Sequence, residues 1–418
     1  MKPAWKKRTK TDLYLTNQEE MILNGEEGVV LAKAMKLLVT LGDLQGAERF
    51  IRINRSQVAG VSYKTVGEPT LELIETLASK KAIVKTFATL NPSGMDLKRW
   101  RSMGISRSFA EKQLKLCKAY QRLGIQALCT CTPYLSGNRP SKGEIVGFSE
   151  SSAIAFVNSV IGARTNRHGG LDALSAALLG KVPFMGYLKD ENRLGNVYVK
   201  VNFNLRDEAD FAALGYFVGK SIRTGEIPVY DGIQRSSISA LKLLGAASAA
   251  SGSVAMFHVP RITPEASSVD DAFGGHDPDY RLIINGRDIW SVYEELSTGK
   301  EPDLIAIGCP HCSIQEMGEI SKQLSGKKIK KGVKFWVFTS PKVFDISKKK
   351  DYVNNIVSAG GRVFVHTCMV VMPIEEMGFK CIYSNSAKAA FYIPRMTKGK
   401  CESRLLSLAE CIRLSTKT

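Results

Sequence analysis

The chain has 418 residues, 44% of them hydrophobic, and 58 basic against 40 acidic residues give it a net charge of +18. This length exceeds what one ordinary hydrophobic core accommodates, so we expect two or three packed α/β lobes. No apolar run reaches the roughly 18 residues that cross a bilayer. The basic start, Met1 to Asp12, also lacks the apolar stretch of a signal peptide, and together these features predict a cytoplasmic protein.

The positive charge is compatible with three kinds of partner: nucleic acid, an anionic small molecule or an acidic protein subunit. The basic residues are dispersed, and the densest runs are residues 6–8, 327–331 and 348–350. Each run is typical of a solvated loop or helix face. Because the sequence contains no RNA- or DNA-binding motif, a basic nucleic-acid-binding scaffold is the less favoured alternative. A strong, salt-dependent affinity for RNA would support that alternative.

The first part of the chain predicts helices separated by short buried strands. In chain order, the predictions are a helix that starts after Thr16, a helix over residues 28–41, a strand over 82–88, a helix over 106–122, a strand over 125–129 and an apolar helix from Ser151 towards Gly162. The first helix is predicted because Thr16 and Glu19 have the spacing of a capping box. The strand over 82–88 is an apolar run that ends at the turn-rich segment 91–94.

The last hundred residues have the clearest pattern. Predicted strands over residues 304–307, 334–338 and 362–366 alternate with predicted helices over 313–324 and 342–359. This alternation predicts a doubly wound parallel sheet, in which ligands bind beyond the carboxyl ends of the strands. Between the two parts, the small residues 245–252 are compatible either with a closely packed helix or with a linker.

Nine cysteines, an odd number in a long chain, argue against a disulfide framework. Three of them, Cys131, Cys309 and Cys368, each follow a predicted strand, and Cys309 also precedes a helix start at Ser313 with Glu316. Three thiolates can hold a cubane iron–sulfur cluster with one iron left open, and an open iron is a Lewis acid that can expel a hydroxyl group. From spacing alone, three ordinary buried cysteines are the favoured interpretation, because the gaps between them are long and no local iron–sulfur motif is present.

Cys309 and Cys312 also form a CxxC motif, Cys309-Pro310-His311-Cys312. Such a motif occurs in zinc knuckles and in redox proteins. A zinc site would need a second ligand pair at similar spacing, which the sequence lacks. A thioredoxin-like site would need the remainder of that fold.

Four further segments carry groups that could bind an anion. They are Gly60-Val61-Ser62, Asn91-Pro92, Glu150-Ser151 at a helix start, and Ser386-Ala387-Lys388. Backbone N–H groups at a helix start favour anions. Taken singly, each segment is more typical of a turn, an ordinary helix cap or a surface lysine.

Taken together, the ordered motifs resemble the aconitase X family. The matching segments are Tyr14-Leu15-Thr16 with Glu19-Glu20, Gly60-Val61-Ser62-Tyr63, Asn91 to Asp96, Cys131-Thr132-Pro133-Tyr134, Glu150-Ser151-Ser152, Gly162 to Arg167, Gly308-Cys309-Pro310-His311 and Ser386-Ala387-Lys388. No single motif decides, but the ordered set is specific and spans nearly the whole chain.

The resemblance implies a fold and a site. The expected fold is an aconitase-like, multi-lobed α/β/α architecture with approximate lobes over residues 1–130, 131–300 and 301–418. The expected cofactor is an iron–sulfur cluster, [4Fe-4S], held by Cys131, Cys309 and Cys368. The implied substrate contacts are Gly60, Val61, Ser62, Asn91, Pro92, Glu150, Ser151 and Lys388.

The resemblance also implies an activity and a partner. The expected reaction is that of a hydro-lyase dehydrating (R)-5-phosphomevalonate to trans-anhydromevalonate 5-phosphate, a step of an archaeal mevalonate pathway. The alternative within the family is dehydration of cis-3-hydroxy-L-proline. The family's closing domain, expected to carry a catalytic serine base, has no match before Thr418. We therefore expect a heterodimer with a separate small subunit, and we assign no base in this chain.

Overall fold

The computed structural model describes residues 13–299 and 301–417. The basic segment of residues 1–12 lies outside the described residues. In the part of the chain that is described, no helix is both long and apolar enough to cross a bilayer.

The N-terminal elements build a small parallel sheet flanked by helices. In chain order they are α1 (Asn17–Asn24), α2 (Val29–Leu44), β1 (Phe50–Arg52), β2 (Arg55–Val58), α3 (Tyr63–Ser79), β3 (Phe87–Leu90), α4 (Trp100–Met103), α5 (Arg107–Arg122), β4 (Gly147–Phe148), α6 (Ser151–Phe156), α7 (Gly170–Leu179) and β5 (Lys181–Pro183). The sheet order is β3-β2-β4, all parallel, while β1 and β5 form a separate antiparallel pair. Thr16 and Glu19 form the predicted capping box of α1.

The central elements form a second parallel sheet. They are β6 (Val197–Val201), α8 (Glu208–Ser221), β7 (Pro228–Asp231), α9 (Ile238–Gly252), α10 (Val269–Phe273), β8 (Tyr280–Ile284) and α11 (Gly286–Glu295), and the strand order is β7-β6-β8. The small residues 245–252 belong to helix α9 rather than to a linker. They are small because α8 and α9 touch closely: a Cβ at Gly219 would overlap the backbone of Ser248.

The C-terminal elements form the predicted doubly wound sheet. They are β9 (Leu304–Cys312), α12 (Ile314–Leu324), β10 (Lys334–Thr339), α13 (Pro341–Lys349), α14 (Tyr352–Ser358), β11 (Arg362–Val365), β12 (Cys381–Ser384), α15 (Ala387–Met396), β13 (Glu402–Leu405) and α16 (Leu408–Ser415). The order is β11-β10-β9-β12-β13, with every neighbouring pair parallel. Separate apolar clusters cover its two faces. The α/β fold class with a parallel C-terminal sheet is therefore confirmed, and the predicted lobe boundaries stay predictions.

Two predicted strands in the N-terminal part are wrong or too long. Of the strand predicted over residues 82–88, only the last two residues belong to a strand, β3. The N–H groups of Val84 and Lys85 bond instead to the carbonyls of Leu123 and Ala177. Residues 125–129 contribute one isolated bridge rather than a strand. Cys129 has φ of 45°, so it cannot continue an extended chain.

Two C-terminal predictions also need correction. The helix predicted over residues 342–359 is divided into α13 and α14, because Asp351 between them has φ of 60°. The strand predicted over 304–307 continues to Cys312, so Cys309 lies within β9 and does not follow it. The predicted helix start after β9 is confirmed, because Ser313 and Glu316 form a capping box.

Candidate active site

The three candidate cysteines come from separate segments that meet at one edge of the C-terminal sheet. Cys309 lies in the last part of β9, and Cys368 lies three residues after β11. These strands are both parallel to β10, so their carboxyl ends lie on the same side. Cys131 reaches them from the loop before Pro133, and its Sγ accepts a hydrogen bond of 3.2 Å from the backbone N–H of His311. All three side chains are buried and free of disulfides.

The other two cysteines near these segments have different surroundings. Cys312 packs in the apolar cluster on the α12 face of the sheet, whereas Cys309 and Cys368 belong to the cluster on the opposite face. Cys129 packs in the N-terminal core with Cys117. Because Cys309 and Cys312 lie on opposite faces, the CxxC motif forms neither a zinc knuckle nor a redox pair.

The electrostatics of the three thiols fit a group that brings positive charge. A hydrogen bond from the Cys368 thiol lowers the pKa of Cys309, while the same bond and burial raise the pKa of Cys368. Burial, together with the charges of Glu150 and Cys309, raises the pKa of Cys131 to about 12. Three thiolates would therefore repel one another here unless a cation lay between them.

The described residues contain no three His, Cys, Asp or Glu side chains placed to hold a single metal ion. An iron–sulfur cluster differs from a single ion because its thiolates bind separate irons. Three buried thiols that form no disulfide are the donor set that such a cluster takes. The residues present therefore fit a cluster better than they fit a mononuclear site.

Beside the cysteines, a buried ion pair joins the N-terminal and C-terminal parts of the chain. The Nζ of Lys388 in α15 lies 2.5 Å from Oε1 of Glu150, the residue that caps α6. Asn91 donates to the other carboxylate oxygen of Glu150 at 2.6 Å, and Ser152 donates its hydroxyl to Oε1 at 2.9 Å. The alternative of an ordinary surface lysine is wrong, because Lys388 is only 9% exposed.

Opposing effects set the charges of this pair. Burial by itself would raise the pKa of Glu150, but the Lys388 ammonium and the hydrogen bonds lower it overall. Burial would likewise lower the pKa of Lys388, but Glu150 and Cys309 raise it overall. Both groups are therefore charged at neutral pH, and their charges lie close to the thiols.

The Gly60–Ser62 loop presents backbone N–H groups at the start of α3. Gly60 has φ of 80°, a conformation that glycine adopts without strain. Within the described residues, the N–H groups of Gly60, Val61 and Ser62 have no hydrogen-bond acceptor. The Ser62 hydroxyl donates to the Val371 carbonyl at 2.7 Å, so the amides rather than this side chain are available to a ligand.

Asn91, Pro92 and Ser151 complete the predicted set. Asn91 and Pro92 lie in the turn after β3, which is bound to the C-terminal sheet because Ser93 donates its N–H to the His366 carbonyl at 2.8 Å. Ser151 is the first residue of α6, next to Glu150. None of the three brings a charge, and the Asn91 amide contributes a hydrogen bond to Glu150.

Two buried polar side chains that hold the site together were missed in the sequence. Gln113 accepts from the N–H groups of Tyr63 and Gly94 and donates to the Val61 carbonyl, all within 2.9 Å. It therefore fixes the Gly60–Ser62 loop against the turn after β3. A polar residue on the apolar face of the predicted helix 106–122 was the signal that could have found it. The other missed residue is His311, whose N–H donates to Cys131 Sγ. Its position between Cys309 and Cys312 in the CxxC motif was the available signal.

Comparisons with known proteins identify the family of this chain. Three family models, the first, second and third domains of aconitase X, match residues 12–191, 195–294 and 302–417. The chain belongs to the aconitase X family. Among solved structures, the crystal structure of Thermococcus kodakaraensis aconitase X in its holo-form matches with a TM-score of 0.89 and 37% identity, covering 96% of this chain and 100% of that one.

Curated members of the aconitase X family with similar sequences have two names. The phosphomevalonate dehydratase large subunits of Methanosarcina mazei and Methanocaldococcus jannaschii are 47% and 44% identical to this chain, and each alignment covers 97% of the relative. These alignments cover 97% and 93% of this chain. The cis-3-hydroxy-L-proline dehydratase of Pseudomonas aeruginosa is 33% identical over 94% of this chain and 68% of that protein.

Proposed function

We propose that this chain is the large subunit of an iron–sulfur hydro-lyase that dehydrates (R)-5-phosphomevalonate to trans-anhydromevalonate 5-phosphate. The observation that carries the proposal is the meeting of three buried thiols with a loop of unpaired N–H groups and the Lys388–Glu150 pair. Its substrate assignment is supported by three relatives named phosphomevalonate dehydratase large subunit that are 44–47% identical to this chain, against 33% and 30% for two relatives named cis-3-hydroxy-L-proline dehydratase.

In this proposal, Cys131, Cys309 and Cys368 hold a [4Fe-4S] cluster. When bound, the cluster supplies a Lewis-acidic iron that assists departure of the substrate's C3 hydroxyl group. The net reaction removes a proton from C2 and hydroxide from C3, so that one water leaves and a double bond forms between these carbons. The hydrogen bond from His311 to Cys131 orients one of the thiol ligands.

The anionic groups of the substrate require donors. We assign this role to the unpaired amides of Gly60, Val61 and Ser62 together with Lys388. Glu150 holds the Lys388 ammonium in place, and Asn91 holds Glu150. Charge-assisted hydrogen bonds of this kind recognise phosphate and carboxylate strongly. Pro92 and Ser151 line the same region beside Asn91 and Glu150.

The base that removes the C2 proton is proposed to belong to a small partner subunit, because none of the assembled groups is a free base. Relatives carry the name "large subunit", which supports a heterodimer. Without a positioned base, turnover should fall by a factor of about 10²–10⁴. The chain alone should therefore bind iron yet convert little or no phosphomevalonate.

The test is anaerobic purification of the chain with and without a small subunit encoded in the same genome, followed by analysis of iron, sulfide and dehydratase activity. Cys309→Ser should lose the iron and the activity, whereas the matched variant Cys312→Ser should keep both. Phosphomevalonate should be used with a far higher kcat/KM than cis-3-hydroxy-L-proline. Iron loss in Cys312→Ser but not in Cys309→Ser, or full activity of the chain alone, contradicts the proposal.

A further inference from the structure

One residue, His311, makes contact with all three cysteine-bearing segments. Its own backbone follows Cys309 by two residues in β9, and its N–H donates to Cys131 Sγ. Its ring Nδ1 lies 2.9 Å from Oγ1 of Thr130, the residue before Cys131. Its ring Nε2 lies 2.8 Å from the carbonyl of Thr367, the residue before Cys368. The imidazole thus spans the gap between two loops that are far apart in the sequence.

The contacts determine which ring nitrogen carries the proton. A carbonyl oxygen can only accept, so Nε2 must be the N–H that donates to Thr367. In the neutral ring Nδ1 is then the acceptor, and the Thr130 hydroxyl donates to it. Thr130 Oγ1 remains free to accept from the Thr132 N–H, which lies 3.1 Å away. Every polar atom of the imidazole is therefore satisfied, although His311, Thr130 and Thr367 are 0% exposed.

A second layer holds the backbone of His311 in place. The Nζ of Lys242 in α9 donates to the His311 carbonyl at 3.0 Å and to Glu316 at 2.5 Å. Glu316 in turn accepts from the Ser313 N–H at 2.8 Å and so belongs to the start of α12. The ring, the amide and the carbonyl of His311 are all fixed by separate partners, which is more than packing alone requires.

We propose that His311 is a positioning residue that sets the relative placement of Cys131, Cys309 and Cys368, with its ring held as the Nε2–H tautomer. This inference rests on the proposed function, since it concerns the thiols that would hold the cluster. Partners of this kind orient metal ligands, and their loss typically lowers metal affinity or activity about 10- to 100-fold. Hydrogen bonds to cluster sulfurs also tune reduction potential, so the electronic properties should change as well.

Three variants and one control test the proposal in the anaerobically reconstituted complex. His311→Leu removes both ring hydrogen bonds, and His311→Gln keeps a side-chain donor for the Thr367 carbonyl. Thr130→Val leaves the ring in place and removes the hydroxyl that donates to Nδ1 and accepts from the Thr132 N–H. The matched control is His258→Gln, since His258 is also a buried histidine with one ring nitrogen, Nε2, bonded to a carbonyl, that of Arg193, at 2.7 Å. The measurements are iron and sulfide per chain, the electron paramagnetic resonance spectrum, the reduction midpoint and thermal unfolding.

We expect His311→Leu to retain about 10- to 100-fold less cluster under limiting iron, and His311→Gln to recover part of that loss. Thr130→Val should keep the fold but shift the resonance spectrum and midpoint, while His258→Gln should leave both as in the wild type. If His311→Leu fails to fold, Thr130→Val decides. If the folded variants keep the wild-type cluster content, spectrum and midpoint, this inference is overturned and the proposed function is not. A wild-type complex without iron and sulfide overturns the proposed function and this inference together.

Discussion

Two buried ion pairs near the cysteines have the same geometry and different surroundings. Lys388–Glu150 and Lys242–Glu316 both have an N–O distance of 2.5 Å, but Lys242 also donates to a backbone carbonyl. Among the described residues, Lys388 has Glu150 as its one hydrogen-bond acceptor, so two of its three N–H donors remain for another group. The number of unused donors, rather than the N–O distance, therefore separates Lys388, the proposed substrate contact, from Lys242.

The structural pair should give the larger effect on stability. Lys242→Met removes the ammonium and leaves the Glu316 carboxylate buried without its partner, which typically costs about 3–5 kcal/mol. We expect the free energy of unfolding in urea to fall by that amount. Adding Glu316→Gln to the same variant should restore part of it, because the orphaned charge is then gone. An unchanged urea midpoint in Lys242→Met would show that this pair contributes little.

The pair at the site should give the larger effect on substrate use. Lys388→Ala should lower kcat/KM for phosphomevalonate by an amount equivalent to about 2–5 kcal/mol, because a buried anionic group loses its cation. The matched control is Lys181→Met. Lys181 is the first residue of β5, and its Nζ lies 2.6 Å from Oε1 of Glu19, so this variant also breaks a lysine–glutamate pair. That variant should keep its kcat/KM. If Lys388→Ala keeps it as well, Lys388 does not bind the substrate.

Local pattern predicted much of the fold. The capping boxes at Thr16 and Ser313 and the parallel C-terminal sheet were predictable because each depends on neighbouring residues or on a regular alternation. Residues 82–86 were not, because their backbone groups bond to the ends of distant helices. The division between α13 and α14 was equally hidden, since only the left-handed conformation of Asp351 marks it.

The members of the candidate site could be chosen from the sequence, but the contacts between them could not. The cysteines and Lys388 could be selected from motifs, and the structure brings them together. The partner of Lys388 is 238 residues away in the sequence, so no local pattern indicates the pair. The role of Gln113 likewise depends on two loops that only the folded chain places side by side.

His168 differs from both ion pairs, because it is a buried titratable group that is not part of an ion pair. Its ring is buried, and within the described part of the chain its Nε2 has no hydrogen-bond partner. Burial, only partly opposed by the charge of Asp172, lowers the pKa of His168 from 6.5 to about 4. The two ion pairs are charged in the folded protein, whereas the surroundings of His168 keep its imidazole neutral.

The depressed pKa of His168 makes stability depend on pH with a definite sign. Above pH 6.5 the ring is neutral in both the folded and the unfolded chain, so its burial does not lower the free energy of unfolding. As the pH falls from 6.5 towards 4, the unfolded chain takes up a proton that the folded chain refuses, and stability is lost. Between pH 7 and pH 5 the loss in the free energy of unfolding should be about 2 kcal/mol.

Urea unfolding of the wild type and of His168→Gln at pH 7 and pH 5 measures this loss. The variant should lose about 2 kcal/mol less than the wild type over this interval. Equal losses in the two proteins would mean that His168 is protonated in the folded state, and that burial does not exclude its charge.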